Sequence, residues 1–162
     1  MLAAWVLAGC DSLDRTTAGN SVDVTDAYVA ILEDMADWGP SYIGGREFRL
    51  SILPTRAYSD LPAVGQEVLT ALAGRGYRAA DASAPLCDGE VRVSFSPPRT
   101  EGSLAYFIDA EFMFAWGGGG GDLMEYLYRV DCTSGKCAVA ERTELAQSEI
   151  GLRPCPADSP TP

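Results

Sequence analysis

The side chains best suited to chemistry in this chain are five thiols and a pair of carboxylates. Cys10 follows Leu7-Ala8-Gly9, the end of an uncharged, mostly apolar run that starts at Leu2. This is the pattern of a bacterial lipobox. Small residues let a signal peptidase approach the backbone, and the thiol is the atom that takes up a diacylglycerol. Cleavage would leave Cys10 as a lipidated N-terminus. Each buried CH2 of an acyl chain adds roughly 0.8 kcal/mol of membrane affinity, so several chains hold stably where one does not. The run is too short to span a bilayer, which takes about 20 apolar residues. No residue before Arg15 is basic, unlike the positively charged opening of a signal peptide, and this suggests that Met1 lies inside a longer gene. The competing reading is the apolar first helix of a cytoplasmic protein. Asp11, beside the cysteine, resembles an inner-membrane retention signal of enteric bacteria.

The other four thiols are Cys87, Cys132, Cys137 and Cys155. With Cys10 given to lipid, an even number remains, which fits an oxidising compartment. Cys132 and Cys137 enclose Thr-Ser-Gly-Lys, a turn sequence between two strand-like runs, so they are expected to pair. Cys87 is then left for Cys155, a bridge that would pin the C-terminal tail to the body. A four-cysteine zinc site would want close C-x2-C pairs. The one close pair here is more widely spaced, so no metal is expected.

Asp109 and Glu111 lie two apart on a strand-like stretch and so point the same way. Glycosidases use such pairs, but here they are expected to sit in water on an open sheet face. Other chemistry is excluded outright. The chain has no histidine, which removes Ser-His-Asp and Cys-His arrangements and histidine-based catalytic zinc. Its single lysine is Lys136, and the glycine run Gly117 to Gly121 is followed by Asp122 where a phosphate-binding loop needs lysine. Gly74-x-Gly76 reads as a helix stop, since no third glycine opens a following helix. The chain therefore reads as a non-enzyme with no catalytic residues and no cofactor.

A net charge of −11 argues against nucleic acid, whose binding needs Lys and Arg to replace counterions. It equally disfavours electrostatic binding to anionic lipid. With 47% hydrophobic residues over 162, the chain can bury a real core. It divides into a signal peptide (1–9), a flexible tether (10–22), one periplasmic domain (23–155) and a disordered tail (156–162).

Within the domain, Asp23 to Trp38 is expected to be a helix, capped by Asp23 or Thr25 and stopped by Gly39-Pro40. Tyr28, Ile31, Leu32 and Met35 form its apolar stripe, and Glu33, Asp34 and Asp37 its solvated face. Glu47 to Leu53 reads as a strand and Leu61 to Ala73 as a second helix, with Asp60 at its cap, Pro62 in its first turn and a stripe of Leu61, Val64, Val68 and Leu72. A short strand at Tyr77 to Ala80 follows. Glu90 to Ser96, Leu104 to Trp116, Leu123 to Asp131 and Lys136 to Arg142 alternate as antiparallel strands. Gly117 to Gly121 reads as a mobile connection, and the chain from Leu152 as loose apart from Cys155. The fold class is α+β, with two helices packed on one face of a mainly antiparallel β-sheet that ends in a meander.

The order lipobox, tether, amphipathic helix, Phe48-Arg-Leu50 strand, the helix Val64-Gly-Gln-Glu-Val-Leu-Thr-Ala-Leu-Ala-Gly-Arg-Gly-Tyr77, Leu104-Ala-Tyr-Phe-Ile-Asp109 and Leu127-Tyr-Arg-Val130 resembles the TrbH family. These are small lipoproteins of P-type conjugative transfer systems. The resemblance covers roughly Val24 to Val130, and the four extra cysteines, the glycine loop and the longer C-terminal hairpin depart from the family pattern. It implies an envelope component of a mating-pair formation (type IV secretion) apparatus, anchored through lipid on Cys10, facing the periplasm and working with protein partners. It brings no catalytic residue.

Two readings follow. In one, the chain is a structural part of a secretion or conjugation channel, offering a strand edge near Glu47 to Leu53 or Lys136 to Arg142 to a partner. In the other it is a stand-alone lipoprotein that binds a small molecule or serves envelope maintenance, with Tyr106, Phe112, Phe114, Tyr126 and Tyr128 available to line a cavity.

Overall fold

A computed structural model describes residues 23–45, 47–56, 60–101, 105–116, 119–133, 135–153 and 155–156. Cys10, the expected signal peptide and tether, and residues 157–162 of the expected tail lie outside the described residues. Helix α1 (Val24–Tyr42) begins where Asp23 caps it, Oδ1 accepting the Thr25 N–H at 2.9 Å. That hydrogen bond holds the Asp23 carboxyl below its usual range. The helix does not stop at Gly39-Pro40. Pro40 sits inside the last turn, where it removes one N–H donor, and the chain stays helical to Tyr42. Packing decides this. The Tyr42 ring lies 4.8 Å from Phe114 and 6.3 Å from Trp38, and its phenol donates to Asp122. Gly39 has a steric role instead, since a Cβ there would press the Met35 methyl at 2.8 Å and the Phe48 ring at 3.1 Å.

Strand β1 (Arg49–Ile52) leads to helix α2 (Gln66–Gly74) and then strand β2 (Arg78–Ala79). The second helix starts five residues later than its apolar spacing suggests. The Val64 N–H donates to the Phe95 carbonyl at 3.1 Å, so the chain before Gly65 is held to the sheet and is not wound into a helix. Asp60 therefore does not cap it, Pro62 is not in its first turn, and Leu61 turns outward at 40% exposure. Gly65 stands at the cap without a side-chain bond. Val64, Val68 and Leu72 are buried as the stripe requires.

The remaining strands are β3 (Glu90–Phe95), β4 (Arg99–Glu101), β5 (Ala105–Trp116), β6 (Gly120–Thr133) and β7 (Lys136–Gly151). The sheet order is β2-β1-β3-β5-β6-β7, with β4 pairing to the start of β5. β1 runs parallel to β2 and β3, and every later pairing is antiparallel. The molecule is thus α+β, with a mainly antiparallel sheet. Short β4 resumes pairing with β5 after Pro97-Pro98 ends β3, because proline lacks the N–H a ladder needs. Among the described residues no helix is long and apolar enough to cross a membrane.

Both helices cover one face. Tyr28, Ile31, Leu32 and Met35 of α1 and Leu72 of α2 meet Val91, Val93, Phe95, Ile108, Phe112, Phe114, Tyr126, Tyr128 and Val130 in one core. Trp38, partly buried, packs against this core, 5.7 Å from Phe112 and 5.5 Å from Tyr126. The aromatic rings of β5 and β6 are therefore wall to α1, not to a cavity beneath it. Tyr28 is withdrawn from water yet satisfied, its hydroxyl donating to the Ser96 carbonyl at 3.0 Å.

The opposite face does not meet water as its charges suggest. Residues 80–89 fold across one end, where Leu86 joins Leu53, Met113, Ala115 and Leu123 in a second apolar cluster. Arg92 ties that segment down by donating to the Ala84 and Pro85 carbonyls at 2.8 and 2.7 Å.

Candidate functional site

Asp109 and Glu111 project from the second face of β5, as their spacing requires, but both are buried, at 6% and 1% exposure. Glu111 is held by the guanidinium of Arg56, with Nε and Nη2 each 3.1 Å from Oε1. Its other oxygen accepts the Ser94 hydroxyl at 2.9 Å. Arg56 also donates to the Asp109 carbonyl at 3.0 Å. The Asp109 carboxylate takes Arg99 at 2.8 Å and the Ser96 hydroxyl at 3.3 Å. Both oxygens of Glu111 and Oδ2 of Asp109 are committed to a cation or a hydroxyl. A general acid or nucleophile needs access to a reacting atom, and this arrangement gives scaffold instead. Nothing in the spacing of Asp109 and Glu111 announces Arg56, which lies more than 50 residues away in a loop.

Among the described residues no group of three or more Cys, Asp and Glu side chains could hold a metal ion. The four cysteines are used in bridges. Cys132 is joined to Cys137 across the β6–β7 hairpin, where they are register partners with Cα atoms 4.0 Å apart. Cys87 is joined to Cys155 over a separation of 68 residues.

The two strand edges considered from sequence have different fates. β1 is internal, paired along Arg49–Ile52 to β3 and at Ser51–Ile52 to β2. β7 ends the sheet. It runs 16 residues, well beyond Arg142, and among the described residues no strand pairs its outer edge. Its inner edge is fixed to β6 from Gly120 to Thr133. Its helix-side face is tied to α1: Arg142 Nη1 donates to Asp34 at 2.9 Å, its guanidinium lies 4.8 Å above the Trp38 ring and 5.5 Å from that of Tyr126, and Gln147 donates to the Tyr42 hydroxyl at 3.1 Å. Burial works against the Arg142 charge, yet Asp34 and Tyr128 hold the guanidinium protonated above its ordinary range.

Two bulges interrupt this edge. Val130 pairs with Val139 while Arg129 pairs with Glu141, and Tyr126 pairs with Glu144 while Glu125 pairs with Ala146. Ala140 and Leu145 are the extra residues. Bulges and charges deter indiscriminate edge pairing, and Glu141, Arg142, Glu144 and Glu149 supply the charges. Leu145 is 52% exposed within this acidic run.

No family model, characterised protein or solved structure matches this chain.

Proposed function

We propose that this chain is a lipid-anchored envelope protein whose domain is a non-catalytic docking module of a conjugative or type IV secretion assembly. The observation that carries the reading is the outer edge of β7, held rigid by β6 and α1 and broken by bulges into short ladders. A partner strand added there would gain main-chain hydrogen bonds, with side-chain pockets giving specificity. Leu145 is the apolar anchor of that contact. The commitment of Asp109 and Glu111 to ion pairs supports a structural role over catalysis. Two disulfides support an oxidising, extracytoplasmic setting, and lipid on Cys10 would hold the domain at the membrane, facing the periplasm.

The test is a crosslinked pull-down of the full-length protein from its own detergent-solubilised membranes, followed by mass spectrometry. Secretion-channel subunits should be recovered with the native chain and lost with Leu145→Lys, while both versions remain in the membrane fraction. Recovery of the protein alone, still membrane-bound, overturns the docking reading.

A further inference from the structure

A second feature, independent of the β7 edge, lies where the end of α1 meets the glycine-rich end of the β5–β6 hairpin. A cleft of about 340 Å³ opens there between Tyr42, Trp116, Val91, Asp88, Glu90 and Asp122. That volume falls within the range of small-molecule sites, and the mix of apolar wall and a few convergent polar groups is theirs too. Its floor is unusual in charge. Asp122 is 3% exposed, and its described partner is a neutral one, the Tyr42 phenol. No Lys or Arg among the described residues forms an ion pair with it. Burial and the hydrogen bond to Asp122 push the Tyr42 phenol above its ordinary range, so the phenol stays protonated as a donor and supplies no counter-charge. A buried carboxylate without a cation is costly.

The cleft wall offers the complement of a cation. Trp116 is 42% exposed. Its indole lies across Gly120, the residue opposite it in the β5–β6 ladder, where any Cβ would overlap Nε1. The ring rests against Gly120 as a flat platform. Asp88 and Glu90, the latter paired with Arg49 at 3.3 Å and Arg92 at 3.9 Å, stand at the rim. Among the described residues no basic side chain lines the cleft.

We propose that this cleft binds an organic cation, an ammonium or guanidinium group carried on an apolar body. The cation sits against Asp122 and over the Trp116 ring, completing the charge that the fold leaves open. A cation over a tryptophan face contributes about 0.5–2 kcal/mol, and the buried carboxylate discriminates against neutral analogues of the same shape. Such a group comes from a free amine or from an Arg or Lys side chain of a bound peptide.

The experiment titrates the full-length protein with phenethylammonium, with its neutral isostere 2-phenylethanol, and with a short peptide carrying one Arg between apolar residues. The readout is the Trp116 indole N–H resonance, assigned by its loss in Trp116→Leu. Phenethylammonium should bind about tenfold tighter than the alcohol, corresponding to about 1.4 kcal/mol. Asp122→Asn, which keeps an acceptor for Tyr42, should abolish that preference with the unfolding midpoint unchanged or raised. Should that variant fail to fold, Trp116→Leu, titrated by calorimetry because it lacks the reporting indole, carries the test by weakening both cations. A peptide that binds tighter than the amine identifies a protein side chain as the source, and the reverse identifies a free amine. Equal binding of amine and alcohol, or no shift with any cation, overturns the proposal.

Discussion

Arg56 and Glu111 meet 3.1 Å apart beneath the second face of the sheet, their side chains only 3% and 1% exposed. Removing one partner of so buried an ion pair costs about 3–5 kcal/mol. Arg56→Met should therefore lower stability by that order. The double variant Arg56→Met with Glu111→Leu should recover most of the loss, because a well-packed apolar pair needs no counter-ion. Arg99, which binds Asp109 from a side chain 59% exposed, is screened by water, and Arg99→Ala should cost under about 1 kcal/mol. Urea unfolding of the three variants decides the matter. Equal costs for Arg56→Met and Arg99→Ala would mean that the buried network does not matter to stability.

The tyrosines make a prediction about alkaline pH. Burial pushes Tyr28, Tyr42, Tyr77, Tyr126 and Tyr128 above the ordinary phenol range, with nearby carboxylates adding to the shift. A phenol in the unfolded chain ionises near pH 10, roughly the unperturbed value. The folded-state value lies higher, so the stabilisation is fully present below about pH 10 and is lost as pH rises through the folded value. The urea midpoint should stay level on approaching about pH 10 and fall beyond it. The ultraviolet tyrosinate band of these residues should appear together with the loss of ordered structure. Their complete titration near pH 10 in a chain that stays folded would refute the burial argument.

What was legible in the sequence is what short-range spacing encodes. The stripe Tyr28, Ile31, Leu32 and Met35 follows helical periodicity and is fully buried. The alternation of Val91, Val93 and Phe95 placed β3 on the core, and Thr-Ser-Gly-Lys between two strand-like runs marked the Cys132–Cys137 hairpin. The misread features depend on contacts remote in sequence. The end of α1 is set by Tyr42 against Phe114, 72 residues away, and outweighs the usual effect of Gly39-Pro40. The start of α2 is set by a bond from Val64 to Phe95. Asp109 and Glu111 read as solvated because charge marks a wet face until a distant arginine and a covering loop are known. β7 was cut short because its bulges at Ala140 and Leu145 shift the alternation out of phase, so period-2 reading fails after Arg142. Of the candidate sites, the β7 edge was half visible. The cleft was not, since its walls come from α1, β3, β5 and β6.

The two disulfides should differ in weight. Closing a loop stabilises mainly by restricting the unfolded chain, and more so for longer loops. Cys87–Cys155 spans 68 residues and Cys132–Cys137 spans 5. On the chain-entropy model these correspond to about 4 and about 2 kcal/mol. Cys87→Ala with Cys155→Ala should therefore lower the unfolding midpoint further than Cys132→Ala with Cys137→Ala. The first pair should also expose the cluster of Leu53, Leu86 and Met113, because Cys155 anchors the chain beside Leu86. Binding of a hydrophobic dye by the first double variant and not the second would report it. The reverse order of midpoints would show that the hairpin bridge, whose Cys132 is buried in the main core, matters through packing more than through chain entropy.

Gly120 and Gly121, which open β6, are packing elements, while Gly117 and Gly118 of the glycine run lie outside the described residues. A Cβ on Gly121 would overlap the carbonyl oxygen of Phe114 and crowd the Leu152 side chain. A backbone oxygen in a paired strand cannot yield as a side chain can. Gly121→Ala should therefore push β5 and β6 apart and cost about 1–3 kcal/mol, as overpacked cores do. Gly74, the last residue of α2, has nothing within 4 Å of its Cβ position. Gly74→Ala should raise stability by about 0.5–1 kcal/mol through the reduced entropy of the unfolded chain. Denaturant midpoints for both variants give the comparison directly. If Gly121→Ala proves neutral, the hairpin has slack at this point.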